Sequence, residues 1–518
     1  MSRVSSRGAQ RASLSFRAKR GICTLARAEA YWESRARCAR SRSEWARGAG
    51  ASAPRLRLQI DDLLRARARS RFLASLGMTG RVAALLGMTG QGAAFLWMAV
   101  LVLGCGTSND GSITLRFWAM GAEGEVVQQM IPEFERENPG IHVRVQTMPW
   151  SAAHEKLLTS FVGEATPDVA QLGNTWVPEF TAIHALDNLE PYIARSPVVN
   201  RDAFFHGIWD TNVVDDTTFG IPWYVDTRVI FYRRDLLAAA GYDSIPGTWP
   251  GWRAAMEALK KRQGPNRYAI FLPTNEWAQP MVLGLQAGSP ILKDGGRYGA
   301  FSDSAFARAF DFYLGLFRDG LAPVAGTNDV ANVYQEFAHG MFAMWITGPW
   351  NVGEMKKRLP SELQRAWATA PLPGPHGDSS GVSLAGGSSI VVFHASPNRA
   401  AAWKLVEYLS RPEQQLRFSR LTGDLPASVA AWRDSSLSGD AHFRAFYTQL
   451  QRVTPIPKVA EVEIISSKLI EASEAAIRGH VPAPRALASL DRDVNQILEK
   501  RRWILARRPP PAAPVARR

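Results

Sequence analysis

The sequence predicts an α/β protein that is built on a parallel β-sheet and contains more than one domain. From residue 112 onward, segments with the apolar alternation of strands take turns with segments of helical periodicity. The chain also has 518 residues, which is too long for one ordinary hydrophobic core.

Three strands are predicted in the first part of this region. Apolar and polar residues alternate at 113–117, so 112–118 is expected to form the first strand. The same alternation at 141–145 predicts the second strand. A short apolar run at 169–172 predicts the third.

Two helices are predicted between these strands. Apolar residues follow the i, i+3, i+4, i+7 spacing of one helix face at Val127, Met130, Ile131 and Phe134. The turn residues 138–140 end this helix, and a second helix is expected near 151–162. The resulting β-α-β-α-β order predicts parallel strands with helices on the faces of the sheet.

The predicted strand ends carry aromatic side chains beside polar ones, in the segments 118–123, 173–176 and 223–228. Sheets of this kind bind ligands beyond the carboxyl ends of their strands. A sugar presents flat C–H faces that stack on aromatic rings, and its hydroxyls bond to carboxylates, amides and guanidinium groups. The sequence therefore predicts a site for a small polar solute, with a sugar favoured.

The net charge of +14 does not indicate a nucleic-acid-binding surface. Residues 1–104 hold 19 Lys and Arg against 5 Asp and Glu, and 42 of each kind remain after them. The region with folded periodicity is therefore not basic, and no nucleic-acid partner is expected. Of the three cysteines only Cys105 borders this region, so neither a disulfide nor a cysteine-based metal site is predicted there.

Enzyme motifs are absent from the sequence, which contains neither Gly-x-Ser-x-Gly nor His-Glu-x-x-His, nor the Gly-Lys-Ser/Thr of a P-loop. We therefore expect no catalytic residues, no metal and no cofactor.

An apolar run at 93–103 is too short to cross a bilayer, which takes about 20 helical residues, but it has the length of a signal-peptide core. It ends in Val102-Leu103-Gly104-Cys105, which resembles the lipobox of bacterial lipoproteins. This resemblance implies cleavage before Cys105 and lipid attachment to its sulfur. The alternative is a buried cysteine that follows a core helix.

These features divide the amino-terminal part into a signal peptide at 78–104 and a tether at 105–111. Residues 1–77 are rich in Arg, Ala and Ser, and we interpret them as a non-native or disordered extension, with the true start at Met78 or Met88. The alternative is a genuine basic, disordered arm.

Six motifs, in this order and spacing, resemble those of the family 1 extracellular solute-binding proteins, which include the maltose-binding protein of ATP-binding-cassette (ABC) importers. The motifs lie at 117–118, 135–141, 166–169, 171–176, 220–223 and 346–350. The resemblance covers roughly 112–500 and implies a type II periplasmic-binding-protein fold, in which two α/β lobes are joined by a hinge and the ligand lies in the cleft.

The resemblance also implies how the chain divides between the lobes. The first lobe would comprise 112–228 and a return segment at 373–421. The second lobe would comprise 229–372 and a helical end at 422–500. Residues 501–518 are predicted to form a disordered basic tail.

The resemblance assigns roles to several side chains. Asp226, at the first crossing between the lobes, would accept hydrogen bonds from sugar hydroxyls, and Trp350 would pack on a sugar ring. Glu276 and Trp277 loosely match an acidic and aromatic region of the family. Arg228 would either donate to sugar oxygens or form a salt bridge with Asp226.

Six further candidates follow from their position at strand ends, with packing in the core or a plain loop as the alternative role of each. They are Trp118, Asn174, Trp176, Trp223, Tyr224 and Gly387.

The resemblance implies a monomeric, extracytoplasmic protein that is tethered to the membrane by lipid at Cys105. It would deliver its sugar to the transmembrane subunits of an ABC importer. Three alternatives stay open: a binding protein for another solute, such as a polyamine, a phosphate ester or a metal complex; a lipid-anchored glycan-processing enzyme; and a receptor module that signals to a membrane partner.

Overall fold

The computed structural model describes residues 111–507, which lie within one compact unit. Cys105 and the predicted signal peptide lie outside the described residues, as does the end of the predicted tail. Between 111 and 507, no helix has the length and apolar character needed to span a membrane.

The chain up to the first crossing forms six strands and six helices within the described residues. They are β1 (Ile113–Met120), α1 (Gly121–Val127), α2 (Ile131–Glu137), β2 (Ile141–Met148), α3 (Trp150–Val162), β3 (Val169–Gly173), α4 (Val177–Ala182), α5 (Glu190–Ile193), α6 (His206–Asp210), β4 (Val213–Val214), β5 (Thr217–Thr218) and β6 (Ile221–Asp226).

The middle part of the described chain builds a second group of elements. They are β7 (Val229–Arg233), α7 (Arg234–Ala239), α8 (Trp249–Gln263), β8 (Tyr268–Phe271), α9 (Ala278–Gln286), β9 (Leu292–Lys293), β10 (Tyr298–Gly299), α10 (Ser304–Arg318), α11 (Val333–Ala338), β11 (Phe342–Thr347), α12 (Trp350–Arg358) and β12 (Trp367–Ala370).

The last part of the described chain adds to both groups. Its elements are β13 (Ser383–Leu384), β14 (Gly386–Val392), α13 (Arg399–Ser410), α14 (Pro412–Thr422), β15 (Leu425–Pro426), α15 (Ser435–Ser438), α16 (Ala441–Leu450), β16 (Val453–Thr454), α17 (Val462–Ile477), α18 (Ala483–Ile497) and α19 (Glu499–Leu505).

Two sheets form the centres of two lobes. The first lobe contains a six-stranded sheet in the order β15-β6-β14-β3-β1-β2, and β1 pairs in parallel with β2 and β3, as predicted. The second lobe contains a four-stranded sheet in the order β12-β7-β11-β8. The two sheets confirm the two-lobed α/β architecture that was predicted from the sequence.

Helices cover both faces of the first sheet. On one face, Phe117 packs in the same core as Phe134 of α2, whose ring lies 5.5 Å from that of Tyr408 on α13. On the other face, Met120 packs with Leu157 of α3 and with the buried residues of α4. These two apolar layers leave the carboxyl ends of β1 and β3 as the open edge of the sheet.

The four-stranded sheet is covered in the same way. Trp252 on α8 packs with Met344 of β11 on one face. On the other face, Phe231 of β7 stacks on Trp367 at 5.9 Å and meets Phe446 of α16. These two apolar layers hold the elements that carry the opposite wall of the cleft.

The chain crosses between the sheets at Thr227 and Arg228, between β6 and β7. Ser383 of β13 holds this crossing, because its Oγ accepts a hydrogen bond from Arg228 N at 3.1 Å and donates one to Arg228 O at 2.9 Å. A later strand, β15, still pairs with β6. The return segment of the first lobe therefore extends beyond its predicted end at residue 421.

The helix predicted through 127–134 is instead two short helices, α1 and α2. All four residues of its predicted apolar face are buried. The helix breaks at 128–130 because Pro132, at the start of α2, has no amide hydrogen with which to continue a hydrogen-bonded helix.

The predicted start of a disordered tail at residue 501 is also wrong, since α19 continues to Leu505. The side chains of Arg501 and Arg502 donate to the carbonyls of Gly296 and Arg297, both at 3.1 Å. The Arg502 guanidinium also lies over the ring of Tyr298, which fixes this helix on the second lobe.

Candidate functional site

A cavity of about 450 Å³ opens between the two lobes. Its first-lobe wall is formed by residues at the carboxyl ends of β1, β3 and β6, together with the amino-terminal end of β14. The lining residues are Glu123, Trp150, Gly173, Asn174, Thr175, Trp176, Tyr224, Asp226, Arg228, Trp277, Pro349, Trp350, Leu384, Ala385, Gly386, Gly387, Ser388, Asp424, Ile456 and Glu463.

Four indole rings line this cavity, two from each lobe. Trp150 begins α3 and meets Trp176 edge to face, with ring centroids 5.6 Å apart. Trp277 and Trp350 begin or precede helices of the second lobe and form the opposite wall. Trp350 is 43% exposed, which is high for a residue that would serve only to fill a core.

Arg228 joins the crossing segment to the second lobe. Its guanidinium forms a hydrogen-bonded ion pair with Asp226, and its Nη2 lies 3.3 Å from Glu276 Oε1. Its Cζ also lies 4.8 Å from the ring centre of Trp350. Although burial acts to lower the pKa of Arg228, the carboxylates of Asp226 and Glu276 raise it, so the side chain is held as a cation.

Gly348 permits the observed position of Trp350. A Cβ atom at residue 348 would lie 2.0 Å from the indole ring, which is inside any normal contact distance. The ring therefore occupies the space that a side chain at 348 would fill, and this places it at the cavity wall.

Tyr224 is the centre of a buried hydrogen-bond network in the first lobe. Its hydroxyl donates to Glu123 Oε1 at 3.0 Å and accepts from Ser388 Oγ at 3.0 Å and Gln171 Nε2 at 3.2 Å. Burial, followed by the charge of Glu123, raises the pKa of Tyr224 well above its ordinary value. Tyr224 therefore stays protonated and orients the Glu123 carboxylate.

Asp424 brings another carboxyl group to the same wall. It follows Gly423, which ends α14 in a left-handed conformation with φ of 86°. Burial, and then the negative charge of Glu123, raise the pKa of Asp424 to about 7. At neutral pH this group exchanges between a hydrogen-bond donor and a carboxylate.

The two walls touch across the cavity. Thr175 Oγ1 donates a hydrogen bond to Glu463 Oε1 on α17 of the second lobe. Lys458 of the second lobe also donates to the carbonyl of Val213 in the first lobe, at 2.6 Å. The lobes are therefore in contact on the side of the cavity that faces α17.

Two predicted residues contribute mainly through the backbone or amide groups. Gly387 has a φ of 123°, and a Cβ atom there would lie 2.2 Å from Tyr224 O, so β14 approaches β6 closely at this point. Asn174 is buried, and its Oδ1 accepts from Ser389 Oγ at 2.9 Å. Within the described chain its Nδ2 has no hydrogen-bond partner.

The cavity brings together most of the residues that the sequence singled out. Those that line it are Asn174, Trp176, Tyr224, Asp226, Arg228, Trp277, Trp350 and Gly387. Glu276 is not part of the lining and lies behind it, where it holds Arg228. Arg228 forms the salt bridge with Asp226 that was one of the two roles considered for it.

Trp118 is not in the cavity, which corrects the expectation that it forms part of the rim. It lies on the outer side of α3, where Lys156 Nζ is 5.1 Å from its ring centre. Successive side chains of a strand point to opposite faces, and Trp118 stands two residues before the end of β1. Its face is therefore the one that α3 covers.

Trp223 is also outside the cavity and is completely buried, so it belongs to the core of the first lobe. Its ring stacks on Phe418 of α14 at 4.3 Å. The ring of the neighbouring Tyr224 also lies near Phe418, at 6.2 Å, but its hydroxyl group reaches Glu123 at the cavity wall.

Among the lining residues that the sequence did not single out, three carry an indole ring or a carboxyl group at positions outside the predicted strand-end segments. Trp150 follows β2, so the same rule of an aromatic residue at a strand end would have found it. Asp424 and Glu463 lie on segments that join the cavity only through the long-range pairing of β15 and the packing of α17. No local sequence signal marks either of them.

Among residues 111–507, no group of three or more His, Cys, Asp and Glu side chains is arranged to hold a metal ion. The carboxylates of the cavity are instead bonded to Arg228, to hydroxyl groups or to the opposite lobe.

Residues 119–416 match the family model of bacterial extracellular solute-binding proteins. This match covers more than half of the chain and includes the lining residues of both walls up to Ser388. The chain belongs to this family. The family resemblance inferred from the sequence motifs is thereby confirmed.

Among solved structures, this solute-binding protein is similar to the sugar-binding protein MalE from Xanthomonas citri. The two are 47% identical, with a TM-score of 0.75, and the match covers 77% of this chain and 100% of that one. A structure of an ABC transporter solute-binding protein from Thermotoga lettingae bound with α-D-tagatose matches at 23% identity and a TM-score of 0.63. That match covers 75% of this chain and 100% of the other and shows the shared fold.

Among curated proteins, the diacetylchitobiose binding protein DasA of Streptomyces coelicolor is 23% identical to this solute-binding protein. The alignment covers 75% of this chain and 93% of DasA.

Proposed function

We propose that this solute-binding protein captures a carbohydrate in the cleft between its lobes and delivers it, unchanged, to the transmembrane subunits of an ABC-type importer. The main support is the cavity itself, in which indole rings from both lobes face one another around carboxylate, amide and guanidinium groups. Rings and hydrogen-bonding groups in this combination match the flat faces and hydroxyls of a sugar. The 47% identity to a sugar-binding protein supports the same ligand class.

The proposal includes a change of shape. Sugar would bind first to one lobe, and rotation at the crossing segments would then bring the second pair of indoles against it. Closure by rotation about a hinge is common in periplasmic binding proteins. A sugar that contacts both walls favours the closed form by its difference in affinity for the two forms.

The resemblance of residues 102–105 to a lipobox supports a proposal for the location. We propose a monomer outside the cytoplasmic membrane, tethered by lipid on Cys105. A curated relative, an uncharacterized lipoprotein in the oleD 5′ region of Streptomyces antibioticus, is consistent with this anchor; it is 26% identical over 70% of this chain and 82% of its own.

A cationic solute such as a polyamine is the second candidate. It is favoured by four carboxylates that line the cavity: Glu123, Asp226, Asp424 and Glu463. The indole rings are compatible with either ligand, since they also attract cations.

A thermal-shift screen with mono- and oligosaccharides, polyamines and phosphate esters distinguishes these candidates. A ligand that binds only the folded protein adds about 2.7 kcal/mol to its stability at a hundredfold excess over the dissociation constant. We expect at least one sugar to raise the melting temperature by several degrees, with one-to-one calorimetric binding and no chemical products. A shift by polyamines alone, or turnover of a sugar, would contradict the proposal.

A further inference from the structure

We infer that Glu123 and Asp424 make the cavity selective for uncharged carbohydrates, so that sugars carrying a carboxylate or a phosphate are rejected. This inference rests on the proposed function, because it specifies the charge of the sugar that the cleft accepts.

The first step concerns the balance of charges at the cavity wall. Four carboxyl side chains line the cavity, whereas Arg228 is the single Lys or Arg among the described lining residues. Arg228 is already paired with Asp226 and Glu276, and it lies against Trp350. An anionic sugar would therefore meet an excess of negative charge and no available cation.

The second step concerns the position of Asp424. Its backbone N–H donates to Thr422 Oγ1 at 3.1 Å, directly after the left-handed turn at Gly423. The next residues, β15, pair with β6, where Pro426 lies opposite Tyr224. This pairing fixes the carboxyl group on the same wall as Glu123, which Tyr224 orients.

The third step concerns the protonation of Asp424. The charged or titratable groups that face it are Glu123 on α1, together with Tyr224 and Asp226 on β6. Burial and the two carboxylates raise the pKa of Asp424 to about 7. A neutral sugar can bond to either form through its hydroxyls, whereas a ligand anion is repelled more strongly once Asp424 is ionised above pH 7.

The test compares neutral sugars with anionic forms of the same sugars. The probes for the pH comparison are glucose and galactose beside glucuronate and galacturonate, titrated calorimetrically at pH 6 and pH 8. Maltose and maltose 6′-phosphate are compared at pH 8 alone, because the second ionisation of the phosphate, at about pH 6, would itself change the charge of the ligand. For a neutral sugar that binds, we expect its affinity at pH 8 to exceed that of its anionic form by at least a hundredfold. The ratio of the affinity for the neutral sugar to the affinity for its anionic form is expected to be lower at pH 6, because Asp424 is largely protonated there.

The Asp424→Asn substitution removes the charge but keeps the shape of the side chain. We expect it to reduce the ratio at pH 8 by about tenfold and to abolish its dependence on pH, and we expect Glu123→Gln to reduce the ratio in the same direction. The matched control is Asp243→Asn, at an exposed aspartate of the second lobe, which should leave the ratio unchanged.

Equal affinity for neutral and anionic forms, or a ratio that both cavity variants leave unaltered, would overturn the inference while the proposed function stands. If no sugar in these pairs or in the wider screen binds at all, the proposed function itself fails. The two failures are therefore distinguishable.

Discussion

Trp350 illustrates, at the scale of single residues, how the cavity wall depends on the neighbours of each side chain. Its ring is exposed to the cleft on one side and contacts the Arg228 guanidinium on the other. The guanidinium is itself held by carboxylates on both lobes. The indole thus has a defined position before any sugar arrives, which reduces the cost of ordering it on binding.

The first prediction concerns Trp350→Ala. We expect sugar affinity to fall by about tenfold or more, near 1.4 kcal/mol, because both the stacking surface and the contact to Arg228 are lost. Calorimetric titration measures this loss. Trp503→Ala removes an indole that is 56% exposed on α19, away from the cavity, and should leave affinity unchanged. Equal affinity of wild type and Trp350→Ala would assign Trp350 to a role outside the site.

A second prediction concerns Gly348→Ala. The added Cβ would overlap the indole of Trp350, so the ring must move, and we expect affinity to fall toward that of Trp350→Ala. The control is Gly353→Ala, on the exposed face of α12, the helix that begins at Trp350. A Cβ atom at residue 353 would meet no atom within 4 Å. We expect Gly353→Ala to keep affinity and to stabilise the protein by about 0.5–1 kcal/mol. Unchanged affinity in Gly348→Ala would show that the observed ring position is not needed.

Single residues also show why some site predictions failed. The sequence places Trp118 and Trp223 near strand ends, but only the strand register shows which face each one occupies. Both turned out to face helices that cover the sheet, α3 for Trp118 and α14 for Trp223. An aromatic residue near a strand end faces the cleft or a covering helix depending on a shift of one position.

At the scale of elements, the local signals for the first three strands were sufficient. The start of α13 shows where local signals fall short. Ser396 followed by Pro397 is a common pattern for the cap and first turn of a helix, yet Asn398 holds the cap position and makes no side-chain cap bond. The hydroxyl of Ser396 instead donates to the buried Asp168 at 2.6 Å, a partner that lies 228 residues away in the chain. Such a distant partner leaves no mark on the local sequence.

The third prediction concerns the cap of α8. Thr248 Oγ1 accepts a hydrogen bond from Gly251 N at 3.2 Å. We expect Thr248→Ala to lower the free energy of unfolding by about 1 kcal/mol, measured by urea denaturation, and to leave sugar affinity unchanged. Thr248→Ser keeps the hydroxyl and should recover most of the loss. A serine variant as unstable as the alanine variant would contradict the capping role.

At the scale of the whole molecule, the family motifs predicted two lobes and the first crossing between them. The predicted end of the return segment of the first lobe, at residue 421, was too early in the chain. Asp424 reaches the cavity because the strand that follows it, β15, pairs with β6. Glu463 reaches it because α17 packs against the opening, where Glu463 accepts a hydrogen bond from Thr175. Their contribution depends on contacts between parts of the chain that are far apart. A single sequence, without related sequences to compare, does not reveal such contacts.

The fourth prediction concerns the contact between the lobes. Thr175→Val keeps the side-chain volume but removes the hydrogen bond to Glu463. We expect a larger radius of gyration in X-ray scattering without sugar, and an affinity lower by a few-fold, because the open form gains population. Thr159→Val, at an exposed position of α3, is the control. Identical scattering of Thr175→Val and wild type would show that this bond does not hold the lobes together.

The most direct test is a crystal structure of the protein with the sugar that gives the largest thermal shift. We predict an intact sugar in the cleft, with contacts to Trp350 from the second lobe and to Glu123 or Trp176 from the first. A sugar bound outside the cleft, a sugar held by one lobe alone with the lobes apart, or a cleaved product would contradict this account.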